Sequence, residues 1–222
     1  MKFLTIPLIF KKSKISVAEK HTKLKNFKRI DVMDTNGSLV GKFLVSTPHM
    51  EDSLFFKTII LICGQDEHGV VGLILNRPLD TPSLRDLLIE LKLSTISSQA
   101  SSRIYFGGPV DTSRGFVLHT PDYKGPDTLE MSVEGQEFCL TNRIDVLAHI
   151  SEGRGPQKFL FLLGYTGWET SQLDQELREN TWLLTDGKKD FIFEKEVSSQ
   201  WDTLYRDLKI NPDCLFRESG RA

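Results

Sequence analysis

Apolar residues recur along this chain with two periods, and they mark out strands and helices in turn. Leu39–Ser46 reads as a strand that stops at Thr47-Pro48. Phe55–Cys63 contains Ile59, Ile60, Leu61 and Ile62 in succession, apolar on both faces, which predicts a central strand covered from both sides. Gly64–Gly69 is polar and turn-like. Val70–Leu75 follows as the second arm of a hairpin and breaks at Asn76-Arg77-Pro78. Ser83 opens a helix: Ser83 and Asp86 have the spacing of a capping box, and Leu84, Leu87, Leu88 and Leu91 make one apolar stripe.

Ser94–Ser102 is a Ser-rich loop. Arg103–Phe106 and Gly115–His119 read as short strands on either side of Gly107-Gly108-Pro109, and Thr120–Asp127 reads as a loop. Thr128–Leu140 fits a hairpin around Glu134-Gly135. Thr141 has the chemistry of an N-cap for a helix reaching about Ile150, with Ile144, Leu147 and Ala148 on its buried side. Lys158–Leu163 reads as a strand, Gly164–Thr170 as a turn and Ser171–Asn180 as a helix. Leu183-Leu184 and Phe191–Phe193 look strand-like around Asp186-Gly187. A last helix, Ser199–Leu208, carries Trp201, Leu204, Tyr205 and Leu208 on one stripe. Strands outnumber helices and come in runs, so the pattern predicts an α+β fold, with a single domain over residues 38–222.

Charge divides the chain more sharply than hydropathy does. The whole chain has 28 Lys and Arg against 30 Asp and Glu, for a net −2. Residues 1–30 hold nine Lys or Arg and one acid, Glu19, or +8, which leaves −10 on the remainder. Residues 1–37 are therefore read separately, as a basic and poorly ordered N-terminal extension. That reading includes a mis-assigned start upstream of Met33; a nucleic-acid or membrane tail and a targeting segment are the other two. The acidic remainder opposes direct nucleic-acid binding, which needs a basic face. Apolar runs such as Ile59–Cys63 stop far short of the ~18 residues of a membrane span. Cys63, Cys139 and Cys214 are widely spaced and form no C-x-x-C, so neither a zinc ribbon nor a thioredoxin motif is present. The chain reads as cytoplasmic, with reduced thiols.

Four stretches carry a family resemblance when taken in order: Gly72-Leu-Ile-Leu-Asn-Arg-Pro78; Tyr105-Phe-Gly-Gly-Pro-Val110; Arg114-Gly-Phe-Val-Leu-His119; and Gly164-Tyr-Thr-Gly-Trp168, which runs into Gln172-Leu-Asp-Gln-Glu-Leu and Asn180-Thr-Trp-Leu183. Together they resemble the YqgE/AlgH family of bacterial proteins over residues 38–222. The resemblance implies a mixed, mostly antiparallel sheet bent into a pseudo-barrel with flanking helices. It brings no settled activity, substrate or cofactor, although some members carry the label of transcriptional regulator. Two positions depart from the pattern. Gln65 stands where members often have His, and Ser171 stands where Gly precedes the Gln-Leu pair.

Candidate chemistry is sparse. Gly107-Gly108 fits an anion-binding nest or a crowded tight turn. Gly164–Trp168 leads into a helix whose N-terminus can hold an anion, yet no phosphate-loop or dinucleotide fingerprint is present. Gln172, Glu176 and Asn180 make one polar helix face opposite Leu173 and Leu177, either solvated or walling a cleft beside Gly107-Gly108. Trp168 and Trp182 fit core or staple positions. His119, with Asp122 and Tyr123 nearby, fits a base, a phosphate ligand or a strand-end histidine bonded to backbone. Cys63 and His119 could pair only through tertiary proximity. No histidine spacing suggests a metal, and no cofactor is implied.

The expected ligand site is therefore Gly107, Gly108, His119, Tyr165, Trp168, Gln172 and Glu176, with no catalytic residue assigned. The expected function is non-enzymatic binding or regulation in the cytoplasm, with a small ligand or a protein as partner. One alternative is an enzyme of unknown class, hydrolase-like, using His119. The other is transcriptional regulation exerted indirectly through a protein partner.

Overall fold

A computed structural model describes residues 38–133, 135–212 and 215. The basic arm, Met33 and Cys214 lie outside the described residues. Among the described residues, nine strands and five α-helices follow in chain order. They are β1 (Lys42–Ser46), β2 (Ile59–Gln65), β3 (Gly69–Ile74), α1 (Leu84–Glu90), β4 (Ile104–Phe106), β5 (Val110–His119) and β6 (Leu129–Val133). After these come β7 (Gln136–Thr141), α2 (Ile144–Ser151), β8 (Phe159–Glu169), α3 (Thr170–Arg178), β9 (Trp182–Asp186), α4 (Lys189–Glu194) and α5 (Gln200–Asp207).

The strands form one sheet in the order β6-β7-β5-β8-β3-β2-β1-β9, curled into a half-barrel. Every pairing on that path is antiparallel, and β4 adds a parallel pairing to β8. The architecture is thus the single-domain α+β fold that the strand-rich pattern predicts.

Strand β8 joins the two halves of the sheet. Its first part pairs with β4 and β5, and its last part with β3. Leu160 and Leu162 face the inner core, while Phe161 and Leu163 face outward. Beyond Gly164, which has φ +72°, the alternation reverses, so that Tyr165 faces inward and Trp168 outward. One left-handed residue thus re-aims the second half of the strand, as a bulge does.

The inner face is packed with Phe43, Leu61, Leu73, Phe116 and Leu162 and is closed by α4 and α5 through Phe191, Trp201 and Tyr205. Two clusters cover the outer face: α1 and α2 lie over Val117 and Phe161, and α3 lies over Leu44, Ile60 and Ile62. Residues Ile59–Cys63 are therefore buried on both sides, as their apolar run predicts.

The capping box at Ser83 and Asp86 forms, with both reciprocal bonds in place. Other expectations are corrected. Gly164–Thr170 is not a turn; the strand continues to Glu169, and Gly164 is absorbed as an irregularity within it. The strand from Gly115 begins earlier, at Val110, and that before it spans Ile104–Phe106. Phe55–Thr58 precedes β2 rather than belonging to it. Phe191–Phe193 lies in helix α4, because one turn puts Phe191 and Ile192 together on the inner core. Thr141 ends β7 and caps no helix, because its hydroxyl is used by His119; α2 begins at Ile144. None of the helices among the described residues is long and apolar enough to cross a membrane.

Candidate functional site

The glycine motifs do meet, and what they make is a seam between backbones. A Cβ on Gly107 would lie 2.4 Å from the Gly164 oxygen, and one on Gly108, at φ +152°, would lie 2.2 Å from the Tyr165 carbonyl. A Cβ on Gly164 would in turn lie 2.3 Å from the Gly108 oxygen. The Gly107 N–H donates to Leu163 O at 2.7 Å, and the Gly107 carbonyl accepts from Ile74 N at 2.9 Å. The Gly107 N–H is thus spent on a backbone carbonyl, and the three glycines have neighbouring backbone where a Cβ would stand.

The polar face of α3 closes on a carboxylate shared by two indoles. The Trp168 and Trp182 Nε1–H groups donate to the same oxygen, Glu176 Oε2, at 2.9 and 2.7 Å. The Gln172 amide donates to Oε1 at 2.8 Å. The two indoles meet edge to face with centroids 5.9 Å apart, and Phe55 packs against Trp182. Each indole is 4% exposed, so the clamp buries two donors and satisfies them with a single acceptor.

His119 lies elsewhere on the outer face and is fully buried. Its Nδ1 is 2.8 Å from Thr120 O, which can only accept, so Nδ1 carries the proton. Nε2 then accepts from the Thr141 hydroxyl at 3.0 Å, and Thr141 accepts from Thr128 at 2.9 Å. The Gly125 N–H completes the chain by donating to Thr128 Oγ1 at 3.1 Å. Burial lowers the pKa of His119, outweighing the Thr120 hydrogen bond and the nearby Asp122 carboxylate. The ring is neutral, saturated and packed edge-on to Tyr123. Cys63 sits in the inner core, outside this network, and burial pushes its thiol far up.

Tyr165 belongs to the inner face. It packs edge-on to Phe116, over which the Arg114 guanidinium sits 5.6 Å from the ring centroid. Burial raises the pKa values of both Tyr165 and Tyr105.

The seven sequence candidates thus fall into four places. Trp168, Gln172 and Glu176 share one cluster, Gly107 and Gly108 form the seam, Tyr165 lies inside, and His119 lies beside Tyr123. Sequence reasoning missed Trp182 as a partner of Glu176 and missed the Thr141–Thr128 relay, because both join segments that no period connects. Gln65, at the position of the expected family histidine, accepts the Leu39 N–H at 2.7 Å and anchors the entry to β1. Among the described residues no group of His, Cys, Asp and Glu is arranged to hold a metal ion.

Comparison with known proteins agrees with this architecture. A family model described as AlgH-like matches residues 43–213. A UPF0301 protein of Jannaschia sp. is 36% identical over 191 residues, covering 85% of this chain and 98% of its own. One from Rhodospirillum rubrum is 38% identical over 186 residues, covering 84% and 95%. The solution structure of the AlgH protein from Pseudomonas aeruginosa superposes with a TM-score of 0.67 at 32% identity, over 86% of this chain and all of that one. A crystal structure from Corynebacterium diphtheriae, at 19% identity and a TM-score of 0.60, shares the fold.

Proposed function

This chain belongs to the AlgH-like family, and from that premise we propose that it works in the cytoplasm as a non-enzymatic binding protein. Any regulatory effect runs through a protein partner. The observation that carries this reading is the state of His119: it is fully buried, and both ring nitrogens are already bonded within the protein. A general base needs a free nitrogen within reach of the proton it takes. The buried thiols of Cys63 and Cys139 agree with a reducing compartment, and burial makes neither an accessible nucleophile. The net −10 of residues 31–222 opposes direct contact with DNA.

Two measurements on the full chain test the proposal. A broad hydrolase panel should give no turnover above background. A thermal-shift screen over nucleotides, phosphorylated metabolites, amino acids and candidate partner proteins should give saturable stabilisation. A ligand at 100 times its Kd adds ~2.7 kcal/mol, or roughly 5–11 °C for a chain of this size. Turnover by the purified protein would overturn the reading, and its loss in a folded His119→Gln protein would assign it to that ring.

A further inference from the structure

A concavity of about 280 Å³ lies between the loop after β5, the start of β8 and one face of α4. Its floor is locked by backbone. The Thr120 N–H donates to Lys158 O at 3.1 Å, and the Lys158 N–H donates to Thr120 Oγ1 at 3.3 Å. Asp122 is held over this floor by the Gln157 N–H, 2.9 Å from Oδ2, and by the Thr120 hydroxyl. The opposite wall comes from α4, where Lys189 with Phe193, and Asp190 with Glu194, are spaced four apart along the helix. Lys158 pairs with Glu194 between the two walls.

Once that ion pair is set aside, the cleft presents one ammonium group, Lys189, and two carboxylates, Asp122 and Asp190, beside the half-buried ring of Phe193. Among the described residues, neither Lys189 nor Asp190 forms an ion pair or a side-chain hydrogen bond, although Lys189 adds to the pull of Lys158 that holds the Glu194 carboxyl below its ordinary range. Three carboxylates oppose a polyanion, and two lysines oppose a metal ion. The volume falls just below the ~300–1,000 Å³ of ordinary ligand pockets, which limits the occupant to one small metabolite.

We infer that this cleft binds a small zwitterion of the amino-acid type. Lys189 takes the carboxylate, Asp190 and Asp122 take the ammonium, and Phe193 supports an apolar side chain. Opposite charges placed together exclude ions of either single sign and accept a molecule that carries both. The inference extends the binding reading above by naming a ligand class and a place for it.

The test is isothermal titration of the full chain with the common L-amino acids at millimolar concentration, followed by the N-acetylated and C-amidated forms of the best responder. Expected are saturable binding of at least one free amino acid and a loss of about tenfold or more in affinity on blocking either end. Lys189→Ala and Asp190→Ala should each weaken binding by a similar factor, with the thermal midpoint of the free protein unchanged. Lys189→Arg should retain binding. Absence of saturable binding by every amino acid would overturn the inference. So would blocked forms that bind as well as the free one, or parent-like affinity in both alanine variants. None of these failures bears on the non-catalytic reading, which the turnover panel decides separately.

Discussion

Replacing Glu176 by Ala removes the one acceptor shared by two buried indoles. Both Trp168 and Trp182 are 4% exposed, and each donates to Glu176 Oε2. A buried donor left unsatisfied costs about 1–3 kcal/mol, so two orphaned donors set a range of ~2–6 kcal/mol. Glu176 itself is half-buried, and water entering the vacated space offsets part of the penalty, which points to the lower half, about 2–4 kcal/mol. For a chain of this length ~3 kcal/mol corresponds to a drop of roughly 6–12 °C in Tm. Glu176→Gln provides the discriminating control. Its single amide oxygen can occupy the Oε2 position and accept both indoles, while the Gln172 amide turns over to accept rather than donate. That variant should lose less than ~1 kcal/mol. The assay is urea unfolding followed by far-UV circular dichroism, which does not depend on the perturbed tryptophans. The two indole N–H resonances in NMR spectra provide a local check. A Glu176→Ala protein within ~0.5 kcal/mol of the parent, the range of an ordinary surface substitution, would refute the claim that the clamp holds α3 to β8 and β9.

Three further outcomes are expected. Gly108→Val should yield no folded protein, because its Cβ would lie 2.2 Å from the Tyr165 carbonyl, whereas Gly135→Ala meets open space and carries only the strain of φ +76°; comparable soluble yields of the two would contradict the seam. His119 has a folded pKa below its ordinary value near 6.5, so the unfolded chain takes up the proton first. Its contribution is present above that value and is lost as pH falls from there through the folded pKa; urea midpoints between pH 8 and 5 should fall more steeply in the parent than in His119→Gln, and parallel slopes would remove the burial argument. Cys63 and Cys139 are at most 1% exposed, so in a Cys214→Ser background a thiol reagent should label the protein only as fast as it unfolds. Rapid stoichiometric labelling under native conditions would count against both placements.

The parts of the fold legible in the sequence were those whose cause is local. Ile59–Cys63 announces two-sided burial because every position is apolar, and Ser83 with Asp86 announces a helix start because the capping bonds span three residues. What could not be read has non-local causes. The reversal at Gly164 depends on the backbone of Gly108, 56 residues away, approaching too closely for a Cβ. Phe191–Phe193 is apolar in succession like a buried strand, yet it forms a helix whose Phe191 packs against Phe43 of a distant strand. The site reading divides in the same way. Gln172 and Glu176 were legible as one helix face, but that face becomes a clamp only through Trp182, which returns from beyond the end of α3. Thr141 resembles an N-cap in sequence and is claimed instead by His119, 22 residues upstream.

The seam also changes what the family motifs mean. Two of the glycine-bearing stretches that carry the resemblance, Tyr105–Val110 and Gly164–Trp168, supply the two sides of one crossing in which each backbone occupies the other's Cβ positions. Any sequence that joins the two half-sheets through β8 in this way must place residues without a Cβ there. The glycines are therefore required by the fold whether or not a ligand binds beside them. The same holds for His119 at the end of the third stretch, whose nitrogens tie β5 to β7 and to the loop beyond. Positions that the architecture leaves free are better indicators of function, because removing their side chains leaves the hydrogen-bond and packing network intact. Lys189 and Asp190 are of this kind: both line a cleft, they carry opposite charges, and among the described residues neither belongs to the inner core.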